Sequence, residues 1–393
     1  MSEPLPSRNG FRPRVLFVEE DADQLATQTR QLRSDNYDVV GAAGGASALE
    51  LLRSDGSFAV LVTNLRLSGM DGMALVRAAR VVSPQTIRVL VATQAELGQA
   101  VQAINEGAIF RFLIAPCSRI LLAFTIKAAV EQHRLLTIER ILLERTVHDA
   151  IRSMMDILGL LAPLVVARAT RLRLLISSLA NIMNVRETWH LELAAMLSQI
   201  GYVNLPPLLL ERFFNGVTLH PTDEATMLAA SGLPEQFVGA VQGLEPVLES
   251  IRYRFKNFDG SGPPPGDPKG EAIPWGARAL RALEDYDTLE SQGMSTLLAC
   301  ETMRARAGFY DPAILDALPE AAAMDRREDV REVPPSCIVP GMVIAQHLKS
   351  AKGVLFVARG QEVSAGLVEK IRGAIGTLLE DKPVRVIVRQ PAR

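Results

Sequence analysis

The strongest constraint on the fold is a regular alternation that runs through the first third of the chain. Short runs of apolar, often β-branched residues alternate there with amphipathic stretches of helical period. Parallel strands need long crossover connections, so the alternation predicts a doubly wound α/β domain: a parallel five-stranded sheet with helices on both faces. The predicted strands cover residues 14–18, 38–41, 59–63, 88–92 and 110–114, and the predicted helices cover residues 23–34, 46–53, 73–81 and about 97–105.

Polar side chains follow two of these strands. Glu19 and Glu20 come directly after the first strand, and Asn64 follows the third. Ligands of such sheets bind at the carboxyl ends of the strands, so these three residues mark a candidate site. The two acids are weak candidates for holding a cation, because a Mg²⁺ site also needs further oxygen ligands in near-octahedral geometry.

Residues 14–133 resemble the CheY-like receiver domains of bacterial response regulators. The resemblance implies a fold in which an aspartate accepts a phosphoryl group, an acid pair holds Mg²⁺, and a lysine and a hydroxyl contact the phosphate. It rests on three blocks, Val18-Glu19-Glu20-Asp21, Asn64-Leu65-Arg66-Leu67-Ser68-Gly69-Met70-Asp71-Gly72 and Arg111-Phe112-Leu113-Ile114-Ala115-Pro116.

The groups that react in this family are replaced in this sequence. By the resemblance, Asn64 stands at the nucleophile position, Ala92 at the hydroxyl position and Ala115 at the lysine position. A carboxamide has no anionic oxygen with which to form an acyl phosphate. We therefore expect a pseudo-receiver that is not phosphorylated; Thr93 as a displaced hydroxyl is the alternative.

Residues 118–160 are predicted to form one long connector helix, since no proline or glycine occurs before Gly159. A 3-4 spacing of apolar residues along it predicts a coiled coil, and hence a homodimer, although packing of the helix on its own domain is an equal alternative. We interpret His148-Asp149 on this helix as a solvated or capping pair. The apolar positions are Leu136, Leu143, Val147, Ala150, Met154, Ile157 and Leu161.

Residues 161–330 carry a helical pattern interrupted by a glycine- and proline-rich loop over residues 259–268. Helices are predicted over residues 169–183 and 192–197. A further helix is predicted to begin at His220-Pro221, because proline suits the first helical turn and acids follow it.

This region is similar to the HD-GYP domain, an all-α, metal-dependent hydrolase fold whose active members cleave cyclic di-GMP. The order of receiver, long helix and this domain also matches response regulators of that family. The similarity covers about residues 165–310 and rests on Asp259-Gly260-Ser261-Gly262, on Gly270-Glu271-Ala272-Ile273-Pro274-Trp275-Gly276-Ala277-Arg278, and on Ile200-Gly201 with Pro206.

The metal ligands of that family are missing by the same resemblance. Its leading histidine falls at Arg168, its His-Asp pair at Ser198-Gln199, its following lysine at Tyr202, its His-His-Glu segment at Arg254-Phe255-Lys256 and its late aspartate at Glu284. Cationic side chains repel the divalent ions that a two-metal hydrolase requires. The domain is therefore predicted to be degenerate, with no metal, no cofactor and no catalytic residue.

Composition excludes several other classes of protein. The five histidines are scattered and the three cysteines form no CxxC pair, which argues against zinc ribbons and disulfide scaffolds. A net charge of −2 gives no basic field to recruit nucleic acid. The apolar stretch over residues 157–167 contains Pro163 and is too short for a bilayer span of about 20 residues. We expect a cytoplasmic protein with a flexible tail over residues 1–13.

Residues 331–393 are predicted to form a small α+β module beyond Val333-Pro334-Pro335, with a packing or docking role. It resembles the β-rich tail found after such domains in related regulators. Strands are predicted over residues 337–345, 353–358 and 384–388, and a helix over residues 363–375.

Three functions remain open from the sequence. The first is a non-catalytic signalling protein that acts through contacts with other signalling proteins. The second is a receptor for cyclic di-GMP, whose phosphates would meet Arg168, Arg254, Lys256 and Arg278, since guanidinium groups match phosphate geometry. The third is a residual phosphodiesterase with an unconventional set of metal ligands.

Overall fold

The computed structural model divides the chain into two compact units, Met1–Arg145 and Thr146–Arg393, which are treated separately below. The residues that the structure describes are 12–34, 36–54, 58–96, 98–99, 101, 104, 106, 108–185, 188–241, 243–326, 329–350, 353, 355–375 and 382–388. The predicted tail over residues 1–13 lies almost wholly outside these ranges, as does much of the helix predicted near residues 97–105.

The first unit contains a five-stranded parallel sheet in the order β2-β1-β3-β4-β5, which confirms the predicted doubly wound sheet. Its strand interiors are apolar and buried, as expected for a sheet covered on both faces. The strands are β1 (Arg14–Val18), β2 (Asp38–Ala42), β3 (Val60–Asn64), β4 (Ile87–Ala92) and β5 (Arg111–Ile114), and the helices are α1 (Ala22–Ser34), α2 (Gly45–Ser54) and α3 (Gly72–Val82).

The long helix α4 (Arg119–Leu161) has 43 residues and passes from the first unit into the second. It ends at Leu161, because the next residue, Ala162, precedes Pro163 and the α conformation is disfavoured there. Of the predicted coiled-coil positions, Val147 packs against the core of the second unit. The side chain of Leu143 lies outside the described residues. No helix among the described residues is both long and apolar enough to cross a membrane.

The second unit is an all-α domain followed by a small module, as predicted. Its fourth helix starts at His220, which caps the helix by accepting the Thr222 N–H on its Nδ1. The helices are α5 (Pro163–Ile182), α6 (Trp189–Leu197), α7 (Pro207–Phe214), α8 (Pro221–Ser231), α9 (Leu233–Gly239), α10 (Glu245–Arg252), α11 (Trp275–Ser291), α12 (Thr296–Arg304) and α13 (Pro312–Arg326).

Two of these helices start earlier than their apolar spacing predicts. Helix α5 begins at Pro163 rather than at residue 169, because proline is pre-organised for the first turn. Helix α6 begins at Trp189 rather than at residue 192. The early start of α5 brings Arg168 into the body of the helix, where it is buried.

The C-terminal module contains an antiparallel sheet in the order β6-β10-β7 and a separate β8-β9 hairpin. The strand predicted over residues 337–345 is wrong except at its end, because only Val343 and Ile344 pair. The first strand of this sheet covers residues 329–333 and thus begins two residues before the predicted start of the module at residue 331. The charged residues of this strand suit a solvated sheet edge. The elements are β6 (Asp329–Val333), β7 (Val343–Ile344), β8 (Leu348–Lys349), β9 (Leu355–Val357), α14 (Ala365–Ala374) and β10 (Val384–Val388).

The module is fastened to the helices of its own unit. Gln361 Nε2 donates to the Gly159 carbonyl at 3.0 Å, and Lys370 Nζ donates to the Leu160 carbonyl at 2.9 Å. Glu362 pairs with Arg152 at 2.5 Å and with Arg173 at 2.7 Å. The end of α4, the start of α5 and the module are therefore joined by direct hydrogen bonds.

Candidate functional site

The carboxyl edge of the parallel sheet brings Glu19 and Asn64 together. Asn64 Nδ2 donates to Glu19 Oε2 at 2.8 Å, and the other Glu19 oxygen accepts the Asp21 N–H at 3.3 Å. Glu19 is buried. The carboxylate is thus satisfied by donors of its own chain.

Glu20 turns to a different partner. It accepts hydrogen bonds from both the backbone N–H and the hydroxyl of Ser68, the latter at 2.9 Å. Glu19 and Glu20, the two weak cation candidates, are therefore each engaged by polar groups of the loop or strand beside them.

The two alanine positions present only methyl groups at this edge. Ala92 is buried in an apolar cluster, and the Ala115 N–H donates to the Ala92 carbonyl at 2.8 Å. The Thr93 N–H donates to Glu96 Oε2 at 2.8 Å. This hydrogen bond, helped by Arg66, holds the pKa of Glu96 below its usual range.

A second group of polar residues lies in the core of the helical domain, around Glu284 of α11. Gln199 Nε2, just beyond the end of α6, donates to Glu284 Oε1 at 3.0 Å and to Ser198 Oγ at 2.9 Å. Arg254 Nε lies 3.7 Å from the same Glu284 oxygen. A glutamine and an arginine thus both engage Oε1 of this carboxylate.

Asp287, one helical turn after Glu284, is held between two arginines of α5. Arg171 Nε and Nη2 donate to its two oxygens at 2.6 and 3.0 Å, and Arg168 Nε lies 3.4 Å away. Burial by itself would raise the pKa of Asp287, but Arg171 and Arg168 outweigh it and hold the pKa below its usual range. The aspartate is therefore a buried anion inside a cationic pair.

Arg168 is also fixed by contacts other than Asp287. Its Nη2 donates to the Glu284 carbonyl at 2.9 Å and to Thr288 Oγ1 at 3.2 Å. Its guanidinium carbon lies 4.5 Å from the centroid of the Phe214 ring, a cation–π distance. Tyr202 packs against the same ring, and burial raises the pKa of its hydroxyl.

Of the four cations predicted to bind a phosphate, Arg168 and Arg254 both lie beside Glu284, whereas Lys256 and Arg278 have other partners. Lys256 Nζ donates to the carbonyls of Pro264 and Gly266 at 2.7 and 2.5 Å, so it ties down the glycine-proline loop. Arg278 pairs with Asp311 and donates to the Ile273 carbonyl. A phosphate at Lys256 or Arg278 would therefore have to compete with backbone carbonyls and a carboxylate that already hold them.

A cavity of about 710 Å³ opens beside Arg168 and Gln199. Three carboxylates line it, from Glu224, Glu284 and Asp285, whereas Arg168 and Arg281 supply the cations. Arg281 is paired with Asp285 at 3.0 Å. The charge of the cavity wall is thus mixed rather than basic.

Sequence reasoning missed the role of Arg171. The signal that points to it is a pair of i, i+3 spacings, Arg168 with Arg171 and Glu284 with Asp287, which place like charges on one face of each helix. Such faces are complementary when two helices pack together. The described residues contain no group of three or more histidines, cysteines, aspartates or glutamates that could hold a metal ion.

Comparison with protein families finds two matches. Residues 15–125 match the response regulator receiver domain, and residues 152–314 match the HD domain. A signal receiver domain of an HD domain-containing protein from Pseudomonas fluorescens Pf-5 is similar in structure at 27% identity. That match covers 32% of this chain and 98% of the solved chain, with a TM-score of 0.30.

Two curated relatives each match about a quarter to a third of this chain. The C4-dicarboxylate transport transcriptional regulatory protein DctD of Rhizobium meliloti (strain 1021) is 31% identical over 124 residues, which is 31% of this chain and 26% of that protein. The transcriptional regulatory protein PrrA of Mycobacterium tuberculosis (strain ATCC 25618 / H37Rv) is 29% identical over 96 residues, 24% of this chain and 41% of that protein. The chain thus spans about a quarter to two fifths of these relatives.

Proposed function

The chain contains a response regulator receiver domain and an HD domain, and we propose that it is a cytoplasmic, non-catalytic protein of two-component signalling. It acts through contacts with other signalling proteins. The observation that carries this proposal is the set of Arg168, Arg171 and Asp287, in which buried Asp287 is paired with buried Arg168 and with partly buried Arg171.

The chemistry of this set supports the proposal. A metal-dependent hydrolase needs free carboxylates and imidazoles to hold a cation and activate water. Here Asp287 is paired with two arginines. Glu284 accepts a hydrogen bond from Gln199 and lies beside Arg254. A divalent ion at this place would have to displace the arginines and would leave buried positive charge behind.

The receiver domain supports the same proposal. Asn64 donates a hydrogen bond to Glu19, where an acceptor aspartate would instead repel that acid unless a cation lay between them. Ala92 and Ala115 offer no hydroxyl and no ammonium at these two positions to stabilise a bound phosphoryl group. Signalling by this chain then depends on binding partners rather than on phosphorylation.

We expect purified protein to take no label from acetyl phosphate and to hydrolyse no cyclic di-GMP in the presence of added Mn²⁺ or Fe²⁺. The physical reason is that the part of the chain that the structure describes contains no group of three or more histidines, cysteines or carboxylates that could hold a metal. Product formation is measured by chromatography against a blank without protein. Turnover above that blank, or a stoichiometric metal content in protein purified without chelators, would establish the residual phosphodiesterase instead.

We also propose a homodimer through helix α4. Met154, Ile157 and Leu161 follow a 3-4 spacing along its C-terminal part and are 59, 62 and 76% exposed. Three large apolar side chains in a row on one exposed face are typical of an interface. A second copy presents the same row, and a two-fold axis matches a surface to itself.

Light scattering at micromolar concentration is expected to give twice the monomer mass of 42.8 kDa. Ile157→Lys should yield the monomer mass, because a charge placed in the apolar contact is costly to desolvate. Leu298→Lys is the control, since it places the same charge on an exposed leucine elsewhere in the HD domain and should remain dimeric. A monomeric wild-type protein would contradict the proposed dimer.

A receptor for cyclic di-GMP is the second candidate, and the cavity of about 710 Å³ beside Arg168 favours it by size. Arg168 and Arg254 would have to leave their present partners to contact a phosphate. Titration calorimetry with cyclic di-GMP at tens of micromolar tests this second candidate. A receptor should give a saturable heat of binding, whereas a protein that acts only through protein contacts should give none.

A further inference from the structure

A smaller cavity lies where the C-terminal module meets the helical domain, within the same unit of the chain. Its volume is about 280 Å³. Helices α5, α7 and α11 form one wall, and the module forms the other through His347, Lys349, Ala358 and Arg359. We call it the junction pocket. It exists only while the module is docked, because neither wall encloses it alone.

The walls of the junction pocket are held in register by direct contacts. Arg171 Nη1 donates to the Arg359 carbonyl at 3.1 Å, and a Cβ at Gly360 would lie 2.8 Å from Arg171 Cγ. The turn therefore needs a glycine at position 360, which has a φ of +88°. These contacts fix the backbone of Arg359 at the edge of the pocket.

The module wall presents the positive charges of Lys349 and Arg359, and the nearby Asp287 interacts with Arg359 only beyond ion-pair distance. Among the described residues, no carboxylate lies within ion-pair distance of Lys349 or Arg359, whereas Arg171 is paired with Asp287. The Arg359 N–H donates to His347 Nδ1 at 3.1 Å, so the neutral imidazole carries its proton on Nε2 as a further donor.

The electrostatic environment of His347 reflects the positive charge of the module wall. Burial lowers the pKa of His347, and Lys349, Arg171 and Arg359 lower it further, while Glu211 on α7 opposes them. Glu211 and Glu290 lie on the helical wall. The pocket is thus cationic on the module side and acidic on the helical side.

We propose that the junction pocket binds the phosphate of a small phosphorylated molecule between Lys349, Arg359 and His347. Charge-assisted hydrogen bonds from an ammonium and a guanidinium suit a phosphate oxygen. The carboxylates of Glu211 and Glu290 face the remainder of the ligand and favour one that carries hydrogen-bond donors. Since both walls contact the ligand, binding strengthens the attachment of the module to the helical domain.

The test is titration calorimetry of the full-length protein with inorganic phosphate and with a nucleoside monophosphate. We expect saturable binding, weakened about ten- to hundred-fold by Arg359→Gln because one charge-assisted hydrogen bond is lost. Arg385→Gln is the matched control, since it removes an exposed arginine of the same module outside the pocket. Glu211→Gln should tighten binding by removing an opposing charge.

The two probes distinguish the source of the phosphate. Tighter binding of the nucleotide indicates an organic ester as the ligand, and equal binding indicates the inorganic ion. No saturable heat with either probe at millimolar concentration would overturn the proposal. Equal losses in Arg359→Gln and Arg385→Gln would also overturn it, because they would mean non-specific attraction to the module.

A second readout uses sulfate, whose charge stays constant between about pH 5 and 8. Sulfate binding should tighten as the pH falls through the lowered pKa of His347, because the imidazole gains a positive charge that faces Lys349, Arg171, Arg359 and Glu211. His347→Gln should remove this pH dependence while it preserves the fold. A pH dependence unchanged in that variant would contradict the role of His347.

Discussion

Asp287→Asn is expected to lower the free energy of unfolding of the HD domain by about 3–5 kcal/mol, the cost typical of removing one partner from a buried ion pair. Asp287 has no exposed surface and Arg168 is 4% exposed. The amide would leave the buried charge of Arg168 and the partly buried charge of Arg171 without their shared counter-ion. This is the largest effect that we expect from a single substitution.

This effect is measured on the full chain by urea unfolding followed by tryptophan fluorescence, a signal that comes from the HD domain. Both tryptophans of the chain, Trp189 and Trp275, pack against the core of that domain. The control is Asp316→Asn. Asp316 pairs with Arg304 at the surface, and its side chain is 76% exposed. An exposed pair contributes at most about 1 kcal/mol. Equal stabilities of the Asp287 and Asp316 variants would show that the arginine cluster is not a structural element.

The ion pair also predicts how stability depends on pH. The folded-state pKa of Asp287 is lowered, so its contribution is complete above the unfolded pKa of about 3.9 and is lost as the pH falls through the folded value. The difference in unfolding free energy between wild type and Asp287→Asn should therefore shrink below about pH 4. A difference that stays constant into acid would mean that Asp287 is not ionised in the folded protein.

Asn64→Asp is expected to make the receiver domain dependent on Mg²⁺. The new carboxylate would face Glu19 Oε2 at the place where Nδ2 now donates at 2.8 Å. Without a cation, loss of that hydrogen bond and repulsion between the two acids should lower the free energy of unfolding of the receiver domain by about 2–3 kcal/mol. A divalent ion bound between the two carboxylates would restore the stability.

Amide hydrogen exchange of the peptide that contains Val60–Asn64 reports the change where it occurs. We expect exchange about thirty- to 150-fold faster in Asn64→Asp without Mg²⁺ and recovery in millimolar Mg²⁺. The double variant Glu19→Gln, Asn64→Asp keeps one acid only and should show neither effect. If Asn64→Asp exchanged as slowly as wild type without Mg²⁺, the hydrogen bond from Asn64 to Glu19 would not contribute to the stability of this sheet edge.

The sequence by itself determined the class of each domain and the losses at the reactive positions. Alternating apolar runs can form only a parallel sheet with crossover helices, and such a sheet brings Glu19 and Asn64 to one edge whatever the details of packing. By the family resemblance, an aspartate is replaced by Asn64, a hydroxyl residue by Ala92 and a histidine by Arg168. These replacements are visible without coordinates, because they concern the chemistry of single side chains.

The small module was harder to predict because its order is not local. Strands β6 and β10 pair residues 329–333 with residues 384–388, and strands of two or three residues carry too little periodicity to be recognised. Which segments pair is decided by long-range hydrogen bonds and by the apolar core beneath the sheet.

Only the tertiary structure decided what the cations do. The sequence places Arg168, Lys256 and Arg278 in one domain, but their partners are chosen by the packing of helices and loops. Arg171 meets Asp287 across 116 residues, whereas Lys256 bonds carbonyls only eight and ten residues away. A buried charge must find a counter-charge or an acceptor wherever packing places one. Side-chain chemistry can therefore be read from the sequence, but ion-pair partners depend on the completed fold.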